Sequence, residues 1–403
     1  MEGAAGLAAA TGVRSAAQWL MVVILSAAGG PDSVGDFSLA LAVSSPIFIL
    51  SELALRNVFV TLRSRYAFAT FVRVRMTANA AAGVLALATV ALPSGPHFAI
   101  MLPLVIAKWM DSLLDMLYAS LQRRGAIGRL ARWMAINGCL IALAFSSVMF
   151  ATSSVPAAII GWALATGFSV LIVSREAFNA ERPRDSTAGR LRLGALLRAG
   201  ASSGAAQALN SFQVYLPVLL LSTWATSAAT GVYAAAAYFV TISNLVMSAV
   251  QQAMLPDLSR SASEAAGAAR LVARRSVILL GLVAVVMAAL VGVGGNGFLA
   301  FAYGEEFRTN VTVLWLLALS ILVLPGVYIS SSILLVQNRY GTQVQIAGVA
   351  LLVTALLGVL LRGRFGVTEG ALVAAVGFAV RSGLGLWAAR SFYHRRDGAS
   401  AAL

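Results

Sequence analysis

Apolar residues fill this chain in long runs broken by short polar stretches. The runs lie near residues 11–30, 36–60, 76–92, 98–122, 130–151, 155–173, 195–222, 228–255, 276–301, 310–336, 343–361 and 369–390. A helix of about 20 apolar residues crosses a bilayer. The pattern therefore predicts an all-α polytopic membrane protein with twelve crossings. Connections are short and marked by Gly and Pro: "GGPDSVG", "LPSGP", "TSSVP", "RFGVTEG". The first run, "AAQWLMVVILSAAGG", has features of a signal peptide. Because many similar spans follow it, it is expected to be a retained first crossing.

One run departs from the pattern. "KWMDSLLDMLYASLQRR", residues 108–124, carries Lys108, Asp111 and Asp115 inside an otherwise greasy helix, and Tyr118 and Gln122 continue the spacing. Residues three and four apart share a helix face, so these five form one polar stripe. Lys108 stands about ten residues into its span, or about 15 Å down a hydrocarbon core about 30 Å thick. Glu52, Arg56 and Arg381 also fall within spans. A charge in hydrocarbon costs about 2.5–3.5 kcal/mol, so six facing lipid would cost on the order of 15–20 kcal/mol. They must face protein or water. Arg14, at the end of the first span, extends the set.

Composition agrees with a membrane chain: 60% of residues are hydrophobic and 11% charged. The 29 basic residues exceed the 15 acidic ones, and the excess sets orientation. One side of the membrane receives Arg63, Arg65, Arg73 and Arg75, then Arg123, Arg124, Arg129 and Arg132. The 174–198 linker, Arg260 to Arg275, Arg339, Arg390, Arg395 and Arg396 fall on that same side. The other side receives Arg308, Arg362 and Arg364. Positive loops stay in the cytoplasm, which predicts a multi-pass protein of the bacterial inner membrane with both termini inside. This signal accounts for the basic balance together with lipid headgroup contact, and nucleic acid is not implied. One cysteine, Cys139, and two histidines give no metal set, and no cofactor is expected.

Two halves echo each other. "GDFSLALAV…LRSR" begins at Gly35 and "GVYAAAAYF…DLSR" at Gly231, while Gln122-Arg123-Arg124 matches Gln337-Asn338-Arg339. The boundary falls in "SREAFNAERPRDSTAGRLR", giving six-helix lobes over 1–185 and 186–403. An even number of spans per half makes the repeats parallel, with a central cavity expected between them. The register sets Ser248 opposite Glu52 and Gln252 opposite Arg56. The second half is thus neutral where the first is charged: Thr241, Asn244, Ser248 and Gln251 line the eighth span, with Tyr328, Ser331 and Gln337 in the tenth. Such groups suit sugar hydroxyls, whereas the first half suits ions.

Plainer readings stand beside these. Glu52 and Arg56, four apart, would neutralise each other on one helix. Lys108, Asp111 and Asp115 would lock helices together. Arg14 would mark topology and snorkel, and the eighth-span stripe would be packing glue. Glu305 and Glu306 read as a solvated outer loop. Arg381 has no acid nearby in sequence.

"KWMDSLLDMLYASLQRRGAIGRLAR" resembles the fourth-span region of O-unit flippases in the polysaccharide transporter family, where a Lys, spaced acids, an aromatic and a Gln precede a basic loop. "GDFSLALAVSSPIFILSELALR" is similar to that family's second span, "GVYAAAAYFVTISNLVMSAVQQAMLPDLSR" to its eighth, and "FAYGEEF" fits before the tenth. The family lies in a superfamily that also holds multidrug exporters and the lipid II flippase. The resemblance implies flipping of an undecaprenyl-diphosphate-linked oligosaccharide from the inner to the outer leaflet. Membrane lipids and a polysaccharide polymerase machinery are the implied partners. Arg14, Arg56, Lys108 and Arg381 would meet the substrate's anionic groups. Glu52, Asp111 and Asp115 would couple an ion, and Tyr118, Asn244, Gln251, Gln252 and Tyr328 would contact sugar. The fifth span departs from the pattern, with Asn137 and Gly138 where a basic residue is expected. A drug or small-cation exporter ranks second. A membrane polymerase or glycosyltransferase would need paired acids or a metal in a sizeable outer loop, and no outer loop is long enough. A scaffold without transport leaves the midplane charges unexplained.

Overall fold

A computed structural model describes residues 2–61, 67–180, 193–263, 266–337 and 339–400. Helices occupy nearly all of them, and no strand occurs among the described residues. In chain order they are α1 (Glu2–Ser51), α2 (Leu55–Thr61), α3 (Phe68–Ala88), α4 (Phe98–Arg123), α5 (Ile127–Thr152) and α6 (Val155–Ala180). Then follow α7 (Leu193–Leu221), α8 (Ser227–Ser263), α9 (Ala266–Tyr303), α10 (Val311–Val336), α11 (Tyr340–Leu361) and α12 (Val367–Ser400). With no water in a bilayer core, backbone groups must be satisfied within each segment, which is why the apolar runs become helices.

Nine described segments are long and apolar enough to cross a membrane. One of them, Ala9–Val60, is 52 residues long and holds both of the first two expected crossings. They part at Gly30, whose φ of 63° and ψ of −167° break the helix. Glycine adopts a positive φ without steric cost, and Pro31 then starts the next helix with its φ already set. The chain folds back there, since Ala10 joins Leu55, Val58 and Phe59 in one buried cluster. Two further expected crossings are α4, whose charges thin its apolar window, and α7. Counting Ala9–Val60 as two, these bring the total to the twelve expected. Large apolar side chains face outward, with Phe301 90% and Val293 84% exposed, as a lipid-facing surface requires.

Two compact units divide the chain, Met1–Ser211 and Phe212–Leu403, and their border falls within α7. The boundary expected at 185/186 lies outside the described residues, as do Arg63 and Arg65 of the orientation signal. In the first unit α1 packs along α5, α4 along α6, and α3 against α4. Its core joins Phe59, Phe68 and Phe71, with ring centroids 5.1 to 5.2 Å apart, to Leu117, Leu121 and Val173. In the second unit α10 lies against α12, α9 and α8. Small residues let α10 and α12 approach closely. A Cβ on Gly385 would stand 2.9 Å from Ser330 Cβ, and one on Gly326 would stand 3.2 Å from Ser382 Cβ.

That seam is testable. Gly385→Leu should destabilise the protein by about 1–3 kcal/mol through overpacking, read as a lower melting temperature in detergent. Gly383→Leu, where a Cβ would meet nothing within 4 Å, should leave the melting temperature unchanged.

Candidate functional site

The second crossing is not continuous. α1 ends at Ser51, a turn covers Glu52 to Ala54, and α2 resumes at Leu55. Leu53 and Ala54 have φ of 50° and 47°. Left-handed geometry costs a non-glycine residue about 1–2 kcal/mol, so surrounding contacts must hold this break. The contacts come from α3. Ser51 Oγ donates to Asn79 Oδ1 at 3.0 Å, and Arg75 Nη1 donates to the Glu52 carbonyl at 2.8 Å. Both α3 residues are fully buried.

Arg75 is the centre of a charge cluster. Its Nε donates to the Ser112 carbonyl of α4 at 3.2 Å, and its Nη2 donates to Asp115 Oδ2 at 3.0 Å. Glu52 Oε1 lies 3.4 Å from the same Nη2. Asp115 turns its other oxygen to Arg56, whose Nη1 lies 2.5 Å from Oδ1. Arg56 also donates to Gln122 Oε1, from Nε at 3.1 Å and from Nη2 at 2.9 Å. The result is a chain of alternating sign: Glu52, Arg75, Asp115, Arg56. Its centre is sealed, with the Arg75 side chain 1% exposed, and its flanks are not: Glu52 is 29%, Arg56 25% and Asp115 19% exposed.

This arrangement corrects three sequence expectations. Glu52 and Arg56 do not neutralise each other, because the break between them sends one to Arg75 and the other to Asp115. Asp115 does not lock onto Lys108 but binds arginines from α2 and α3. Arg75 is no loop charge marking topology. The third helix begins at Phe68 rather than near 76, which carries Arg75 into the span, while Arg73 on the opposite face is exposed.

The remaining charges of the first unit are looser. Among the described residues, Arg14, Lys108 and Asp111 form no ion pair. Lys108 Nζ stands 5.7 Å from the centroid of the Trp162 ring, a cation–π contact. Asp111 Oδ1 accepts from Thr166 Oγ1 at 3.3 Å. Arg14 lies within electrostatic reach of Asp111, Asp115 and Glu52. Its Cα would be 3.3 Å from a Cβ on Gly138. Where a basic side chain is expected on α5, glycine instead lets α1 press close and bring Arg14 to that level. Tyr118 is buried against the apolar cluster, and its hydroxyl has no hydrogen-bond partner among the described residues.

In the second unit the expected sugar contacts are tied to one another. Tyr328 Oη donates to Asn244 Oδ1 at 3.1 Å, and Gln251 Nε2 donates to Ser332 Oγ at 2.8 Å, joining α8 to α10. Gln252 is exposed and donates to Ser248 Oγ at 3.1 Å. Arg381 donates to Gln213 Oε1 at 2.9 Å and has no carboxylate partner among the described residues. Beyond the spans, Arg308 hydrogen-bonds Glu305 and holds its carboxyl below the usual range, in an exposed turn.

No family model matches the chain. It is 20% identical over 364 residues to the capsular polysaccharide biosynthesis protein CapF of Staphylococcus aureus, covering 88% of this chain and 90% of that protein. A MOP superfamily transporter from Pyrococcus furiosus, described as having a binding pocket of reversed polarity, aligns with a TM-score of 0.71 at 11% identity, over 98% of this chain and 95% of its own. A multidrug resistance MATE family transporter of that superfamily aligns in its inward-facing conformation at 0.69 and 10% identity, over 96% of both chains. An outward-facing MATE structure aligns at 0.68 and 12% identity, over 98% of this chain and 95% of that one. The fold is therefore the MATE-like one, with twelve membrane helices in two lobes.

The cluster makes a stability prediction. Asp115→Ala leaves Arg75 buried with only Glu52 nearby and should cost about 3 kcal/mol. Asp111→Ala, losing one hydroxyl contact, should cost about 1 kcal/mol. Chemical unfolding in mild detergent separates the two.

Proposed function

We propose that this chain is a transporter that turns an undecaprenyl-diphosphate-linked oligosaccharide from the cytoplasmic to the outer leaflet by alternating access, for surface polysaccharide synthesis. The observation that carries the reading is the surplus of positive charge in the first unit. Arg14, Arg56, Arg75 and Lys108 face Glu52, Asp111 and Asp115, four charges against three. Three of them form no ion pair among the described residues and stand at partly exposed positions, the cations Arg14 and Lys108 and the anion Asp111, so the unpaired set also carries a net positive charge. A diphosphate offers the missing counter-charge. The relation to a capsular polysaccharide biosynthesis protein supports the same substrate class.

The physics of the step is consistent. Sugars and a diphosphate cannot cross hydrocarbon unaided, since each unpaired polar group costs several kcal/mol. Cationic side chains in a wet groove offset that cost while the prenyl tail stays in lipid. Asn244, Gln251, Gln252 and Tyr328 supply donors and acceptors for sugar, and Arg381 adds a cation in the second unit. An anion of charge about −2 leaving a cell at about −150 mV gains on the order of 7 kcal/mol from the field. Export can thus draw on the membrane potential, with Glu52, Asp111 or Asp115 as sites for a coupled proton. The orientation that suits this is both termini in the cytoplasm of an inner-membrane protein.

A second reading, export of drugs or small cations, is favoured by the multidrug resistance named for the solved MATE neighbours. A surplus positive charge at the site works against a cationic substrate.

The test is leaflet-specific labelling of lipid-linked sugar in a deletion strain. Arg14→Ala and Lys108→Ala should each reduce outer-leaflet label to the level of the deletion while the protein still inserts. Normal surface polysaccharide in both variants, or restored drug resistance without restored polysaccharide, would overturn the flippase reading.

A further inference from the structure

Arg75 enters the proposed function only as one charge in the surplus, yet it is the most completely buried charge described. Three of its nitrogens are committed: to the Glu52 carbonyl, the Ser112 carbonyl and Asp115 Oδ2. Two of these partners are main-chain atoms on either side of it, so the guanidinium cannot follow a ligand. Arg56 is different. A quarter of its side chain is exposed, and it stands on the far side of the same carboxylate. Asp115 thus serves two cations through its two oxygens, one fixed and sealed, the other accessible.

A carboxylate shared between two arginines holds each less firmly than it would hold one alone, because the second cation offsets part of its field. The geometry points to Arg75 as a positioning residue: by taking one oxygen of Asp115 it weakens that carboxylate's hold on Arg56 and keeps Arg56 available to the anionic group of the substrate. This inference rests on the anion-transport reading above. The helix break belongs to the same device. An uninterrupted helix would set Glu52 and Arg56 four residues apart on one face, where they pair directly. The turn at Leu53 and Ala54 takes Glu52 to Arg75 instead, so the acid nearest Arg56 in sequence does not compete for it.

A double-mutant cycle on the full-length protein in nanodiscs, with inorganic pyrophosphate as probe, tests this. Arg75→Gln leaves Asp115 wholly to Arg56 and should weaken pyrophosphate binding about tenfold. Asp115→Asn keeps the volume and one acceptor oxygen for Arg75 while releasing Arg56, and should strengthen binding. In the Asp115→Asn background, Arg75→Gln should change affinity by less than about threefold. Arg75→Lys keeps a charge on the carboxylate and should restore most of the affinity lost in Arg75→Gln.

Equal losses from Arg75→Gln in both backgrounds would make Arg75 a general source of positive field and overturn the inference. So would a loss in Arg75→Lys as large as in Arg75→Gln, which would assign Arg75 to holding the helix break alone. If neither Arg75 variant folds, Asp115→Asn decides by itself: unchanged or weaker binding sinks the proposal. Wild-type protein that does not bind pyrophosphate removes the anion reading and this inference with it, whereas equal binding in Arg56→Gln leaves the anion to Arg14 and Lys108 and removes this inference alone. Wild-type binding that depends on Arg56 but not on the cycle leaves the anion reading standing and removes only the role of Arg75.

Discussion

The first unit is organised by the need to bury one guanidinium. Arg75 sits where no water reaches its donors, so each must find an acceptor in the protein. Two come from main-chain carbonyls, Glu52 in the turn after α1 and Ser112 on α4, and the third is Asp115. Asp115 in turn draws in Arg56 and through it Gln122. Remove that guanidinium and the Glu52 carbonyl in the break keeps only its bond from the Leu55 N–H. Two consecutive non-glycine residues in left-handed geometry would then have less to hold them. Four helices, α1 to α4, are thereby tied together by charge as well as by the phenylalanine cluster beneath.

The second unit solves its packing differently. Among the described residues its buried and half-buried polar side chains within the helices are largely neutral, Arg381 and Glu369 apart, and several bond helix to helix through an amide, a hydroxyl and a phenol. Glycines facing serines bring α10 and α12 together where a larger side chain would hold them apart. α8 runs unbroken from Ser227 to Ser263 over the stretch that matches the interrupted α1–α2. The two halves of an echoing sequence have thus taken different roles, one ionic and one hydrogen-bonding.

Most of the fold is readable from hydrophobic runs, because a bilayer allows so few solutions for a greasy segment. The helical class, the crossings and the isolated charges of α4 follow from run length and spacing alone. Pairing does not. Spacing puts Glu52 and Arg56 on one face only if the helix continues, and nothing in "ILSELALRN" signals that it stops at Ser51, since none of these residues is Gly or Pro. Arg75 is missed for a related reason. Arginines beside a span are read as loop charges, and the start of α3 eight residues earlier than its apolar run suggests moves one of them inside. The signal available was Asn79, four residues on, which shares the Arg75 face and is equally polar in a small-residue helix. Tyr118 marks a further gap, since a place on the polar stripe does not give its buried hydroxyl a hydrogen bond among the described residues.

The mutual dependence of α2, α3 and α4 bears on how the chain is made. Ribosomes deliver Arg56 and Arg75 to the membrane before Asp115 exists, and each cation alone is a poor candidate for lipid. α4 meets the same obstacle from the other side, carrying two aspartates and a lysine. α3 and the segment that contains α2 are apolar enough to cross, yet each carries an arginine whose carboxylate arrives only with α4, so the three reach their lowest energy as a group. For this stretch of the chain, the unit of stability in the membrane is a bundle and not a single helix.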